Sequence, residues 1–143
     1  MSSRSRTSYL IKRVELIVRS RLEVVLRDLD ITTGQYAALS LLAAMPETSS
    51  AQLARSVGVT PQTMTDTILA FEYRGLISRE RSSEHKRILK ISLTEEGRAL
   101  VRKCEGRVSS VEGELFGVLD KNDLDQLRSS LLAIAQGSDE QRD

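Results

Sequence analysis

Apolar residues recur at intervals of three and four over most of this chain, and that rhythm is interrupted at a few sharply marked points. Between Leu10 and Leu29 the positions Ile11, Val14, Val18, Leu22, Val25 and Leu29 keep the spacing, with Lys12, Arg13, Arg19 and Arg27 between them, which predicts a long amphipathic helix. A second helix is expected from Thr32, where Gln35 three residues on can complete a capping box, to Met45, with Pro46 as the stop. A third, short one starts at Ser49 with Gln52 as its capping partner and ends at Gly58. Thr60-Pro61 opens a fourth, because Thr is a good N-cap and Pro at the first helical position gives up only an amide that would be unpaired. It runs to Arg74 and Gly75, with Met64, Ile68 and Phe71 on its buried side.

The period then changes. Leu76 to Arg81 and Arg87 to Leu93 flank the polar stretch Ser82-Ser83-Glu84-His85-Lys86, which predicts a two-stranded hairpin with a polar tip. After Thr94, a cap for a first turn carrying Glu95 and Glu96, helical spacing returns at Leu100, Cys104, Val108, Val111, Leu115 and Val118. Asp120 opens a last helix on Leu124, Leu127, Leu131 and Ile134, and the polar residues from Gly137 to Asp143 are expected to fray. The fold class is thus mainly α with a small β-hairpin wing, in a single domain spanning 1–143.

Composition narrows the function. Hydrophobic residues make up 40% of the 143 positions and charged residues 29%, as in ordinary globular proteins. Aromatics are only 3% with no Trp, which disfavours a stacking platform for single-stranded nucleic acid. A single Cys excludes an intrachain disulfide, and with one His there is no soft ligand set for zinc, so no metal or cofactor is expected. No apolar run approaches the roughly 18 residues of a membrane span, and the polar start is unlike a secretory signal; the expected location is the cytoplasm. There is no glycine-rich phosphate loop, no G-x-S-x-G elbow and no second His or Cys to complete a triad, so an enzyme is not expected.

A short helix and a helix opening with Thr-Pro, meeting at Gly58-Val59-Thr60 and followed by a hairpin, make a helix-turn-helix with a wing. The buried side of the fourth helix leaves Gln62, Thr63 and Asp66 facing outward in its first two turns. Gln can pair with adenine, Thr can contact a thymine methyl or a phosphate, and a helix N-terminus favours a phosphate. The formal net charge is only +1, yet between Arg74 and Lys90 six basic residues (Arg74, Arg79, Arg81, Lys86, Arg87, Lys90) face two acidic ones (Glu80, Glu84), a local balance of +4. Such a wing suits phosphate contact and minor-groove insertion; in isolation a charged hairpin could equally be a solvated edge.

The chain resembles the MarR (multiple antibiotic resistance regulator) family of winged-helix repressors. The resemblance rests on Ala51-Gln52-Leu53-Ala54 with Val57-Gly58-Val59-Thr60-Pro61, on Arg74-Gly75-Leu76-Ile77-Ser78-Arg79, and on Ile91-Ser92-Leu93-Thr94-Glu95-Glu96-Gly97. It implies a DNA-binding lobe over 32–93, with 8–30 and 94–136 as dimerisation helices. The family's wing tip usually carries an Asp, a variable residue and an Arg, and the matching positions here are His85, Lys86 and Arg87, so the Arg is kept and the Asp is not. An early Arg of the family's recognition helix is Asp66 here, and a later basic position is Ala70. Asp66 can accept from cytosine, hold Gln62 in place, or simply complement the helix dipole. The candidate DNA contacts are Ser50, Thr60, Pro61, Gln62, Thr63, Thr65, Asp66, Arg79, Arg81, His85, Lys86 and Arg87.

The long first and last helices carry more apolar surface than one small lobe can cover, which predicts a homodimer, the alternative being a monomeric helical bundle whose ends pack on each other. The resemblance further implies double-stranded DNA as partner and release from a palindromic operator by a small aromatic or lipophilic acid, for which Arg13, Arg19 and Tyr36 are the candidate contacts by location and charge. Cys104 lies on the apolar stripe of a helix, where it reads first as a small inert hydrophobe and second as an oxidant sensor. His85, with an ordinary pKa near ~6.5, is a possible proton switch, though an exposed loop His needs no such role. Two other functions use the same fold: a winged-helix protein-interaction module, whose wing would be apolar, and an architectural DNA binder without sequence choice.

Overall fold

Local signals set most of the helix boundaries in the computed structural model, which describes residues 6–81, 84 and 89–141. Helix α1 spans Thr7–Leu26 and tightens into a 3-10 turn over Arg27–Leu29, closed by Asp30 at φ 54°. The expected single helix to Leu29 therefore changes pitch in its last turn, a common way for a helix to end. Helix α2 covers Thr33–Ala44 behind a complete capping box of Thr32 and Gln35, with bonds of 3.1 and 3.0 Å. Helix α3 covers Ser50–Val57 behind the same device made by Ser49 and Gln52, and ends on Gly58 at φ 81°. Helix α4 covers Pro61–Tyr73, capped by Thr60 and followed by Gly75 at φ 71°. Positive φ is the conformation glycine enters without steric cost, and it lets each of these helices stop abruptly.

Strands β1 (Ile77–Arg81) and β2 (Leu89–Leu93) pair antiparallel, Ile77 opposite Leu93 and Arg81 opposite Leu89. Thr48 adds a bridge on the other edge of β2, its carbonyl accepting from Ile91 N at 2.8 Å. The buried Thr48 hydroxyl donates to the same Gln52 oxygen that caps α3. This ties the helix-turn-helix to the hairpin. Helix α5 (Glu95–Phe116) and helix α6 (Lys121–Glu140) follow, the latter capped by Asp120. The expected fraying from Gly137 is not seen: α6 continues to Glu140, with Ser138 donating to the Ile134 carbonyl at 3.0 Å. A glycine with α backbone angles weakens a helix but does not end it.

The backbone divides into two compact units, Met1–Val108 and Ser109–Asp143. In the first, Leu26, Leu39, Leu42, Leu53, Met64, Ile68, Phe71, Ile77, Ile91, Val101 and Cys104 form the buried centre. Its first helix stays largely uncovered: Tyr9, Leu10, Ile11, Val14, Leu16 and Ile17 are each 43–47% exposed. In the second unit Leu127, Leu131, Leu132 and Ile134 are likewise exposed on α6. No helix among the described residues is long and apolar enough to cross a membrane.

Candidate nucleic-acid interface

The outward face of α4 is organised by hydroxyl and amide groups rather than by cations. Thr60 Oγ1 accepts from Thr63 N at 3.1 Å and donates to Thr63 Oγ1 at 2.9 Å, while Thr65 Oγ1 donates to the Pro61 carbonyl at 2.9 Å. The hydroxyl hydrogens of Thr60 and Thr65 are thereby spent within the helix, while Thr63 Oγ1 serves as an acceptor. Gln62, Thr63, Thr65 and Asp66 are all exposed, as the burial of Met64, Ile68 and Phe71 on the opposite side requires. Gln62 Nε2 donates to Asp66 Oδ1 at 3.1 Å, so of the three roles open to Asp66 the structure contains the hold on Gln62. Ser50, the first residue of α3, is half-buried beside the Ser49 cap.

The hairpin emerges next to this helix. Arg79 on β1 reaches back to α4 and grips Glu72 with two bonds of 2.7 and 3.0 Å. This contact holds Glu72 below the usual carboxylate range and raises the Arg79 guanidinium. Arg79, expected to meet phosphate, thus also fixes the base of the wing against the recognition helix. Nothing in the local pattern points to Glu72, seven residues away on another element. Arg74 is likewise used internally, donating to the Asp30 and Leu29 carbonyls at 2.7 and 3.1 Å, and Lys90 pairs with Glu47 at 3.2 Å. Arg81 is exposed at the outer end of β1. His85, Lys86 and Arg87 lie outside the described residues.

Beneath the wing, Thr94 stitches three elements together. Its hydroxyl donates to the Gly75 carbonyl at 2.6 Å and accepts from Gly97 N at 3.1 Å, and its amide donates to the Leu76 carbonyl at 3.0 Å. Cys104 is fully buried, and burial pushes its thiol pKa up, opposed by the nearby Arg107 and Arg74 charges. That environment suits the inert reading. Of the candidate effector contacts, Arg13 is exposed on α1, Arg19 pairs with Glu15 at 3.3 Å, and Tyr36 is half-buried against the core. Arg107 donates to the Val25 carbonyl at 2.8 Å and pairs with Asp28, whose pKa it lowers.

A capped recognition helix following a glycine-closed helix, and leading directly into a two-stranded wing bonded to it through Arg79 and linked to the shorter helix by way of Thr48, defines a winged helix-turn-helix protein. Comparison with known proteins agrees. The family model described as MarR family matches residues 31–89. Over 111 residues the chain is 33% identical to the HTH-type transcriptional repressor Rv2887 of Mycobacterium tuberculosis (strain ATCC 25618 / H37Rv), covering 78% of this chain and 80% of that protein. The structure is similar to that of CouR from Rhodococcus jostii RHA1 bound to p-coumaroyl-CoA, with a TM-score of 0.85 and 25% identity over 94% of this chain and 95% of that one. Against the transcriptional repressor CouR bound to a 23-mer DNA duplex the TM-score is 0.82 at 27% identity, covering 94% and 99%. The chain belongs to the MarR family.

Proposed function

We propose that this protein is a sequence-specific, DNA-binding transcription repressor that acts in the cytoplasm as a homodimer on a palindromic operator. The observation that carries the reading is the exposed face of Gln62, Thr63, Thr65 and Asp66 on a helix whose start is fixed by Thr60 and Pro61. Residues 32–93 form the DNA-binding lobe, and 8–30 with 94–136 supply the dimer contacts. The exposed apolar rows on α1 and α6 support that division, because a chain of this size seldom leaves so many large apolar side chains uncovered without a partner. The two recognition helices would then meet half-sites about 34–36 Å apart. The proposed activity is binding and not catalysis, in keeping with relatives that are transcriptional regulators.

The proposed release signal is a small aromatic or lipophilic acid, with Arg13, Arg19 and Tyr36 as the candidate contacts. In support, CouR was solved with p-coumaroyl-CoA, and the M. tuberculosis protein Rv2887 with p-aminosalicylic acid. A ligand acts here only through different affinities for two dimer shapes, so it must bind the DNA-free shape more tightly.

The test is selection from a random duplex pool, followed by affinity for the winner and a scrambled copy across a salt series. A palindromic consensus with a falling slope of log affinity against log salt is expected. Binding without sequence preference would refute the repressor reading in favour of an architectural one. Light scattering that gives a monomer would refute the dimer.

A further inference from the structure

The recognition helix carries an acid where DNA-facing helices usually avoid one, and that acid is bonded to the neighbouring amide. We infer that Asp66 is a positioning residue for base readout: it fixes the orientation of the Gln62 amide so that Gln62 selects adenine and rejects guanine. The inference rests on the proposed sequence-specific binding and sharpens it.

The chemistry follows from the donor inventory. A carboxylate only accepts, so the Gln62 group facing Asp66 Oδ1 at 3.1 Å is its nitrogen. One amide hydrogen is thereby committed. What remains outward is one N–H and the carbonyl oxygen, a donor beside an acceptor. In the major groove adenine presents the complementary pair, N7 accepting and N6 donating. Guanine presents two acceptors, N7 and O6, and an unrestrained glutamine can satisfy both by turning both amide hydrogens toward them. With one hydrogen held by Asp66 that arrangement is closed, and the carbonyl oxygen would face O6.

Several features of the helix make the hold effective. Positions 62 and 66 are one turn apart and so lie on the same face. Thr65 and Thr67 donate their hydroxyls to the Pro61 and Thr63 carbonyls at 2.9 Å, so neither hydroxyl hydrogen competes for Asp66. No Lys or Arg occurs between Pro61 and Tyr73 to draw the carboxylate away along its own helix. The cost is a negative charge near the phosphates, which lowers affinity for every sequence alike.

The experiment measures binding of the full chain to its selected operator and to copies in which each half-site position is changed symmetrically, at one salt concentration. Gln62→Ala locates the position it reads, by the loss of preference there. A bidentate contact predicts that wild type prefers adenine at that position about 5- to 150-fold per half-site. Asp66→Ala is expected to bring guanine at that position to within a few-fold of adenine while binding to random duplex stays equal or tightens. Asp66→Asn, turned to present its carbonyl, is expected to keep the preference. The double variant Gln62→Ala/Asp66→Ala should discriminate no worse than Gln62→Ala alone, since Asp66 acts only through Gln62. The inference is overturned if Asp66→Ala leaves the adenine preference intact, or if it erases a preference for cytosine at a different position, which would make Asp66 a direct reader. Wild-type binding that is strong but sequence-blind would overturn the repressor reading and this inference together.

Discussion

Replacing Gly97 by alanine puts a methyl group where the first turn of α5 lies against the start of β1. The added Cβ would sit far inside van der Waals contact with the Leu76 carbonyl oxygen, and 3.1 Å from both the Leu76 carbonyl carbon and Leu93 Cδ2. Backbone cannot swing aside as a side-chain end can, so α5 must lift from the strand, and the Thr94 bonds to Gly75 and Leu76 lengthen with it. Overpacking of this kind costs about 1–3 kcal/mol, and weakening one buried hydrogen bond about 0.5–1.5 kcal/mol. The gain in helix propensity returns at most about 1 kcal/mol. The net loss is therefore about 1–3 kcal/mol, or roughly 3–10 °C in Tm for a chain of this length. Gly106 lies on the same helix with open space around its would-be Cβ, so Gly106→Ala should raise stability by up to about 1 kcal/mol. Calorimetric melts of both variants at one protein concentration make the comparison, because the melting of the proposed dimer would depend on concentration. A Gly97→Ala protein as stable as wild type would refute the steric reading of this glycine.

Other outcomes follow from the same packing. The Glu72 carboxylate, held below its usual value by Arg79, has a folded pKa lower than its unfolded one near 4.5. Its contribution is therefore present above about pH 4.5 and is lost as pH falls through the folded value, so Glu72→Gln should flatten the acid side of the stability profile; an unchanged slope in circular dichroism melts from pH 3 to 5 would count against the pair. Cys104, buried and with its thiol pKa raised, should resist iodoacetamide in the native protein and label fully in guanidinium, whereas rapid native labelling would revive the sensing role. Thr60→Ala removes the cap of the recognition helix and should cost about 0.5–2 kcal/mol in denaturant melts, together with a loss of operator affinity; unchanged stability would mean the cap is replaced by water.

Much of this architecture is written in neighbouring residues. The two capping boxes, the Thr60-Pro61 start and the glycine stops depend on groups three or four positions apart, so sequence spacing alone determines where α2, α3 and α4 begin and where α3 and α4 end. The outward face of α4 follows the same way, since burying Met64, Ile68 and Phe71 leaves Gln62, Thr63 and Asp66 only the other side. The three motifs likewise carry the family, since they lie in neighbouring residues of the helix-turn-helix and wing.

What tertiary structure decided is how distant elements share their hydrogen bonds. Arg79 and Arg74 belong by count to a basic wing, yet one clamps Glu72 and the other reaches carbonyls more than forty residues away. The Thr48 bridge to Ile91 and the demand for glycine at position 97 likewise exist only once the hairpin lies against its neighbours. A local pattern records the partners that a helix turn or a strand pleat brings together, because those distances are set by backbone geometry; a side chain that crosses between elements meets its partner only where the packed core places it.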